Sequence, residues 1–395
     1  MTSSPTIVGT FLAGERTVGT YQDAWIAWLS IDGQDVPLGE ILADVSIRVG
    51  RDDVAGSPQP SSAAIALHPV DRAFTRGFTI GVELAVVARS PAGSNRQIFR
   101  GKLTDAELDG DLLKLVATGS LAAANRVQLD ITGWPAEAWS ARAARLLDTS
   151  GWWYTIETDP AFDPILEPPQ NLDTGLVLFE TYAASLVDAV GAAMFDTEDG
   201  HIVLQAIGAR ASRDHRVHVL DPAKVAWAPA WLQQMNVANI VGVQYGPDDA
   251  TVTVVESDQA STGLYGRLAT EIQSTRIRAA ADASQRARIA LARGAYPRWG
   301  MRELELLEPL LDIAIGDRVQ ITELPDASPS SQWTPVVEGW VHTIDGNSWR
   351  QTLTLSDPVA SGLALVWDDV ASDVLWSTVP PLEWRDADEH GDLYP

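Results

Sequence analysis

Apolar and polar residues alternate over short segments near both ends of this chain, and that pattern limits the available folds more than any motif does. Val45-Ser-Ile-Arg-Val, Arg302-Glu-Leu-Glu-Leu, Arg318-Val-Gln-Ile-Thr and Thr352-Leu-Thr-Leu alternate cleanly. Successive side chains on a strand point to opposite faces, so each segment reads as a strand with one buried face. Ala64-Ile-Ala-Leu, Val82-Glu-Leu-Ala-Val-Val and Leu112-Leu-Lys-Leu-Val follow the same rule less strictly. Turn sequences such as Leu108-Asp-Gly110-Asp separate the early strands. Many short strands with regular turns indicate a barrel or sandwich. In Ile98-Phe99-Arg100-Gly101-Lys102-Leu103, the glycine marks a place where backbones approach closely.

The middle of the chain changes period. Trp139, Ala143 and Leu146 recur at helical spacing up to Ser150-Gly151, with Pro135 at an expected first helical position. A second helix is expected over 178–195, ending in the turn Asp196-Thr-Glu-Asp-Gly200 and followed by a strand from His201 to Ile207. Strands are expected again at 238–245 and 250–255. An Ala- and Arg-rich helix over 279–293 follows, with Gly294 as its stop and Pro297 closing the exit. The richest stretch, 236–320, strings together Asn239-Ile-Val, Ser257-Asp258, Leu264-Tyr265-Gly266-Arg267, Tyr296-Pro297-Arg298 and Gly316-Asp317-Arg318-Val319. These are strand, turn and cap signals, and none of them carries catalytic chemistry.

Composition removes whole classes of function. The formal net charge of −25 opposes tight nucleic-acid binding, which needs Lys and Arg to displace counterions, and opposes an anionic membrane surface. The charge has two readings, dispersal in solution or an acidic lining past which DNA slides, and the sequence leaves both open. With no cysteine among 395 residues, disulfides and thiolate metal sites are excluded. No apolar run reaches the roughly 18 residues a membrane helix requires. Met1-Thr-Ser-Ser-Pro-Thr is not a basic segment leading into an apolar one, so no secretory signal is expected.

The motifs of common enzymes are missing. There is no GxSxG elbow, no GxxxxGK[ST] loop and no GxGxxG turn. Asp214-His215-Arg-Val-His218 has metal-like spacing, but its flanks look extended and no companion glutamate follows, so these read as surface histidines. A glycosidase needs only two carboxylates across a cleft. The acidic residues here read instead as turn and strand-face residues. The expectation is therefore a chain that is not an enzyme, with no cofactor and no metal. Tryptophan is frequent, at 15 residues. Trp152 and Trp153 form the densest cluster, readable as a carbohydrate platform or as interface and core residues. Trp367, Trp376 and Trp384 punctuate an acidic, Pro-containing end that cannot build its own core and reads as a docking arm.

The order of these signals resembles the tail-tip hub, or minor tail, proteins of long-tailed bacteriophages. Those proteins are themselves similar to the hubs of contractile-phage baseplates and of type VI secretion spikes. The resemblance spans residues 40–357. It rests on Phe99-Arg100-Gly101, the helix–turn–strand unit at 178–207, Asn239-Ile240-Val241, Tyr265-Gly266 before the Ala-rich helix, Gly316-Asp317-Arg318-Val319, and Val337-Glu338-Gly339-Trp340. It implies a β-rich α+β fold, with two small tube-type β-barrel domains bracketing an α/β middle region. The implied divisions are a first barrel at 1–125, a peripheral α/β domain at 126–235, and return strands, Ala-rich helix and second barrel at 236–357. An acidic Trp-containing arm follows at 358–395.

The implied function is a trimeric ring at the virion tail tip that adapts a sixfold tube to a threefold tip. Such a ring is assembled in the host cytoplasm, contacts the distal tail and tape-measure proteins, anchors tip or fibre proteins, and lets genome DNA pass without specific binding. A carbohydrate-binding host-recognition tip protein is the alternative, and a cell-wall hydrolase the third reading.

Overall fold

The computed structural model describes residues 26–31, 34–37, 42–51, 59–68, 79–89, 95–169, 177–211, 216–227, 231–232, 237–247, 249–273, 275–297, 299–324, 332–345 and 348–358. Seven strands come first: β1 (Ile26–Ile31), β2 (Gln34–Pro37), β3 (Leu42–Gly50), β4 (Ser62–Leu67), β5 (Glu83–Arg89), β6 (Asn95–Asp109) and β7 (Leu112–Thr118). Alternation translates directly into burial. Val45, Ile47 and Val49 of β3 face inward, as do Ala63, Ile65 and Leu67 of β4 and Leu113, Leu115 and Ala117 of β7. Gly110, in the left-handed region at φ 62°, turns β6 into β7 as its sequence indicates. At Gly101 any side chain would run into the Thr118 carbonyl and the Phe99 ring, which is the close approach its sequence signalled.

The middle region opens with helix α1 (Ser120–Ala124) and α2 (Trp139–Ser150), then β8 (Tyr154–Glu157), α3 (Phe179–Val190), β9 (Ala193–Asp196), β10 (Ile202–Gln205) and α4 (Ile207–Ala211). Gly151 and Gly191 end α2 and α3 in left-handed conformations. Two sequence expectations need correction. Pro135 is not the first helical residue; α2 starts at Trp139, and the Pro135 carbonyl instead accepts from Arg142 Nη2 at 2.5 Å. The second helix stops at Val190 rather than 195, because Gly191 breaks it and 193–196 pair as a strand.

Further along are β11 (Val217–Val219), β12 (Val225–Trp227), β13 (Ile240–Tyr245), β14 (Val252–Ser257), α5 (Gln259–Tyr265), β15 (Ala269–Ile272) and α6 (Ala280–Gly294). The described chain closes with β16 (Glu303–Leu306), β17 (Arg318–Gln320), β18 (Val336–Asp345) and β19 (Trp349–Ser356). Gly294 is the last helical residue of α6 rather than a left-handed stop; Ala295 closes the helix by donating to the Leu291 carbonyl.

The protein is β-rich, with most strands in one large sheet. Thirteen strands join, in the order β12-β16-β19-β18-β3-β4-β7-β6-β5-β1-β2, with β11 and β17 attached beside β18. The central seam is β3 against β18, antiparallel from Gly50↔Gly339 to Asp44↔Asp345. It joins the two ends of the described chain, and their apolar faces fill one core in which Ile47, Phe99 and Leu115 lie with Leu304, Trp340 and Leu353. No sheet closes into a barrel among the described residues.

A second core holds Trp139, Leu146, Phe179, Tyr182 and Ile202. Val241, Val243, Ile277, Ala283, Ala287 and Leu291 belong to it as well, so the small sheet β14-β13-β15 and helix α6 pack with the middle region. The segment following residue 235 thus returns first to the middle core and only later, from Met301 on, to the large sheet.

Candidate functional site

The motif block at 236–320 folds into a closed set of polar contacts. Asn239 is fully buried just before β13. Its side-chain amide donates to the Gly266 carbonyl at 2.8 Å and to Ser261 Oγ at 3.2 Å, and its Oδ1 accepts from Leu268 N at 2.8 Å. Asp258 caps α5 by accepting from Ser261 N at 2.8 Å, while its own N–H donates to the Asn239 carbonyl. Ser261 Oγ in turn donates to the Ala295 carbonyl beyond α6. The Tyr265 and Tyr296 rings meet edge to face at 6.3 Å. The order Asn239, Asp258, Tyr265-Gly266, Gly294 therefore describes one latch that holds a strand, a short helix and a long helix together. Gly316-Asp317-Arg318-Val319 behaves similarly. Gly316 turns at φ 92°, and Asp317 Oδ2 accepts from Ala314 N at 2.9 Å and faces His218 Nε2 at 3.0 Å. His218 is therefore not a surface histidine; on β11 it is held by Asp317, the residue just before β17. His215 lies outside the described residues.

Glu338 is a fully buried charged group on β18, where the ladder to β19 slips by one residue. It receives both arms of Arg210, at 3.0 and 2.9 Å, and also binds Arg51 and, at 2.5 Å, the Ser356 hydroxyl. Burial alone would raise its carboxyl, but Arg210 and Arg51 outweigh that and hold it well below the ordinary carboxylate range. These contacts tie the end of β3, helix α4 and strands β18 and β19 at one point. The backbones also touch there: a Cβ at Gly50, whose φ is +87°, would sit 2.5 Å from the Glu338 carbonyl, and one at Gly339 would sit 2.6 Å from that of Val49.

Nearby, burial pushes Arg293 down to about 9, helped by Arg286, Arg210 and Arg51, and pushes Arg286 down to about 10 against the pull of Asp188. Both stay protonated at neutral pH.

A second buried carboxylate makes the other junction. Asp196, at the end of β9, accepts from Ser61 N at 2.6 Å and from Leu121 N at 3.1 Å. It thereby caps α1 from a distant strand and links the middle region to β4. Burial drives its carboxyl up, against the lowering effect of those N–H groups.

Asp196 and Glu338 correct the reading of the acidic residues as turn and strand-face groups only. The signal was present in Val336-Val-Glu338-Gly-Trp, where a charge sits inside an apolar strand. Its partners Arg51 and Arg210 lie too far away in sequence to have been paired with it.

The aromatic candidates separate. Trp152 is half-buried, with Lys102 Nζ 4.7 Å from its ring centre, whereas Trp153 is 70% exposed and meets His201 edge to face at 5.6 Å. Trp367, Trp376 and Trp384 lie outside the described residues. Among the described residues no group of three or more His, Asp or Glu side chains is arranged to hold a metal, and no helix is long and apolar enough to cross a membrane.

Two solved structures share this architecture over nearly their whole length. The tail protein from Neisseria meningitidis MC58 superposes with a TM-score of 0.59 at 12% identity, covering 85% of this chain and 98% of that one. The 43 kDa tail protein of prophage MuSo2 from Shewanella oneidensis gives 0.56 at 13% identity, covering 85% and 99%. The chain has the fold of these two tail proteins. At these identities the tail-protein fold is shared while almost all of the sequence is not. No protein-family model matches the chain, and no curated protein matches it by sequence. The likeness extends over 98% and 99% of the two tail proteins, so it is to whole chains and not to one isolated module.

Proposed function

We propose that this chain is a structural protein of a bacteriophage tail and serves as the hub of the tail tip. The observation that carries the reading is the match to two tail proteins, one of them from a prophage, over almost their full length. The organisation of the polar groups supports it. Asn239, Asp196 and Glu338 are spent on holding elements together, as a part that must keep its shape under load requires.

In this reading three copies close into a ring. The reading expects one small barrel from each end of the chain, so that six barrels match the sixfold tube above. Cyclic closure lets one chain build the whole collar and leaves no strand edge open at its ends. The ring seats the distal tail protein, holds the end of the tape-measure protein, anchors tip or fibre proteins, and passes DNA through an acidic lumen without binding it. The segment 358–395 is an arm whose Trp367, Trp376 and Trp384 dock on the same or a neighbouring subunit.

Native mass spectrometry of the full chain tests the ring: a trimer is expected, and a monomer at every concentration overturns it. Imaging of tails labelled at the C-terminus tests the location, with label along the shaft overturning the tip assignment. Removal of residues 362–395 is expected to weaken assembly, and unchanged assembly removes the arm.

The exposed ring of Trp153 favours a second reading, host-wall recognition through a carbohydrate. Binding of the purified protein to host wall glycan, lost in Trp153→Ala, would establish it.

A further inference from the structure

The strand β6 is longer than its neighbour. Pairing with β5 ends at Glu83↔Lys102, and two further bonds join Leu103 to Gly81 and Val82. Pairing with β7 continues to Asp109↔Leu112. From Thr104 to Asp109, β6 therefore has a ladder on one side and none on the other among the described residues, and all six of these side chains are exposed. An unpaired edge is a ready template for another strand.

The faces of this segment differ in kind. Ala106 and Leu108 lie opposite Leu115 and Leu113, which are buried in the first core. The apolar inner face thus runs on past the end of β5 and stops uncovered at Leu108, which is 57% exposed. On the other face stand Asp105, Glu107 and Asp109, with Lys114 engaging Asp109 at 2.6 Å.

Those carboxylates decide what can pair there. Two copies of this edge laid against each other would bring acids into register, and like charges opposite one another destabilise a sheet. The partner strand must lack carboxylates and offer apolar side chains. Edge strands β2, β14 and β15 carry Asp35, Glu256 and Glu271, and Val225 of β12 is already packed against the first core. Strand β11 differs from all of these. It pairs only with β17 among the described residues, carries no carboxylate, and turns His218 inward to Asp317. Val217 and Val219 face outward at 43% and 69% exposure, behind the exposed Arg216.

We propose that β11 of one copy adds to the outer half of β6 of the next, Val219 covering Leu108 and Arg216 meeting the acids of β6. This rests on the ring reading and specifies its contact. Two different patches on opposite halves of the chain make a head-to-tail contact, the kind that closes into a ring.

The absence of cysteine allows a direct test. Leu108→Cys and Val219→Cys are prepared separately, mixed and oxidised. A disulfide-linked dimer is expected in the mixture and in neither variant alone. A monomer-only mixture, or equal dimer in either single variant, overturns the pairing. Native mass spectrometry of Leu108→Lys is expected to show at least tenfold weaker assembly with unchanged thermal unfolding. Glu107→Arg is expected to weaken assembly, and Glu107→Arg combined with Arg216→Glu to restore it. If the wild type assembles and the variants assemble equally well, this contact is wrong and the ring stands; if the wild type stays monomeric, both fall.

Discussion

The side-chain amide of Asn239 donates to the backbone carbonyl of Gly266, 27 positions later, at 2.8 Å, from a position with no solvent exposure. One side chain thus fixes where β13 begins, where α5 ends and where β15 starts. Replacing it tests whether the most legible motif of the sequence is structural. Asn239→Ala removes the partner of the exposed Gly266 carbonyl, which water can replace, and of the half-buried Leu268 N–H, and takes a donor from the buried Ser261 hydroxyl. A loss of about 1–3 kcal/mol in urea unfolding is expected, the cost of leaving a sheltered polar group without its partner. Asn239→Asp is expected to be at least as damaging, because it sets a carboxylate against that carbonyl.

Glu338→Gln leaves Arg51 and Arg210 buried without their counter-charge. Breaking a buried pair from one side costs about 3–5 kcal/mol, so a loss of that size is expected in denaturant unfolding. The pH dependence has a definite sign. The folded carboxyl lies below its ordinary range. Its contribution is therefore complete above the unfolded value of about 4.3 and is lost as pH falls through the folded one. The acid limb of the stability curve is expected to be flatter in Glu338→Gln than in the wild type.

Gly50→Ala and Gly339→Ala probe the backbone crossing beside Glu338. The first carries both a positive-φ strain and a clash with the Glu338 carbonyl, and the second a clash with that of Val49. Each is expected to cost about 1–3 kcal/mol or more, read as a lowered unfolding midpoint. Gly110→Ala, where nothing lies within 4 Å, isolates the φ strain alone and is expected to cost less.

Trp153→Ala and Trp139→Ala should separate surface from core. Trp153 is largely exposed, and its loss is expected to change stability by less than about 0.5 kcal/mol. Trp139 is buried and donates to the Leu186 carbonyl at 2.8 Å; its loss is expected to cost about 3–5 kcal/mol. Parallel chemical denaturation curves check both.

What the sequence made legible follows from the range of each interaction. The strands of Ser62–Leu67 and Leu112–Thr118 could be read because a half-buried strand repeats every two residues. Helix ends were readable where glycine adopts the left-handed turn, as at Gly151, and misread where the stop came early, at Gly191, or came without such a turn, at Gly294. The residues of the Asn239 latch were visible as a spaced series, but their meeting point was not. The affiliation of β13 and α6 with the middle core was hidden because amphipathic faces do not name their partners. Glu338 was noticed as part of a strand motif, while its role depends on two arginines from other parts of the chain.

The pairing of β3 with β18 also sets a timetable for synthesis. Arg51 and Glu338 are 287 positions apart. At the roughly 5–20 residues per second of a ribosome, the strand ending at Gly50 emerges about 15–60 s before the one that completes its ladder. Throughout that interval the nascent chain holds one side of β3 open in a crowded cell, so its yield depends on whatever shields that side until translation ends.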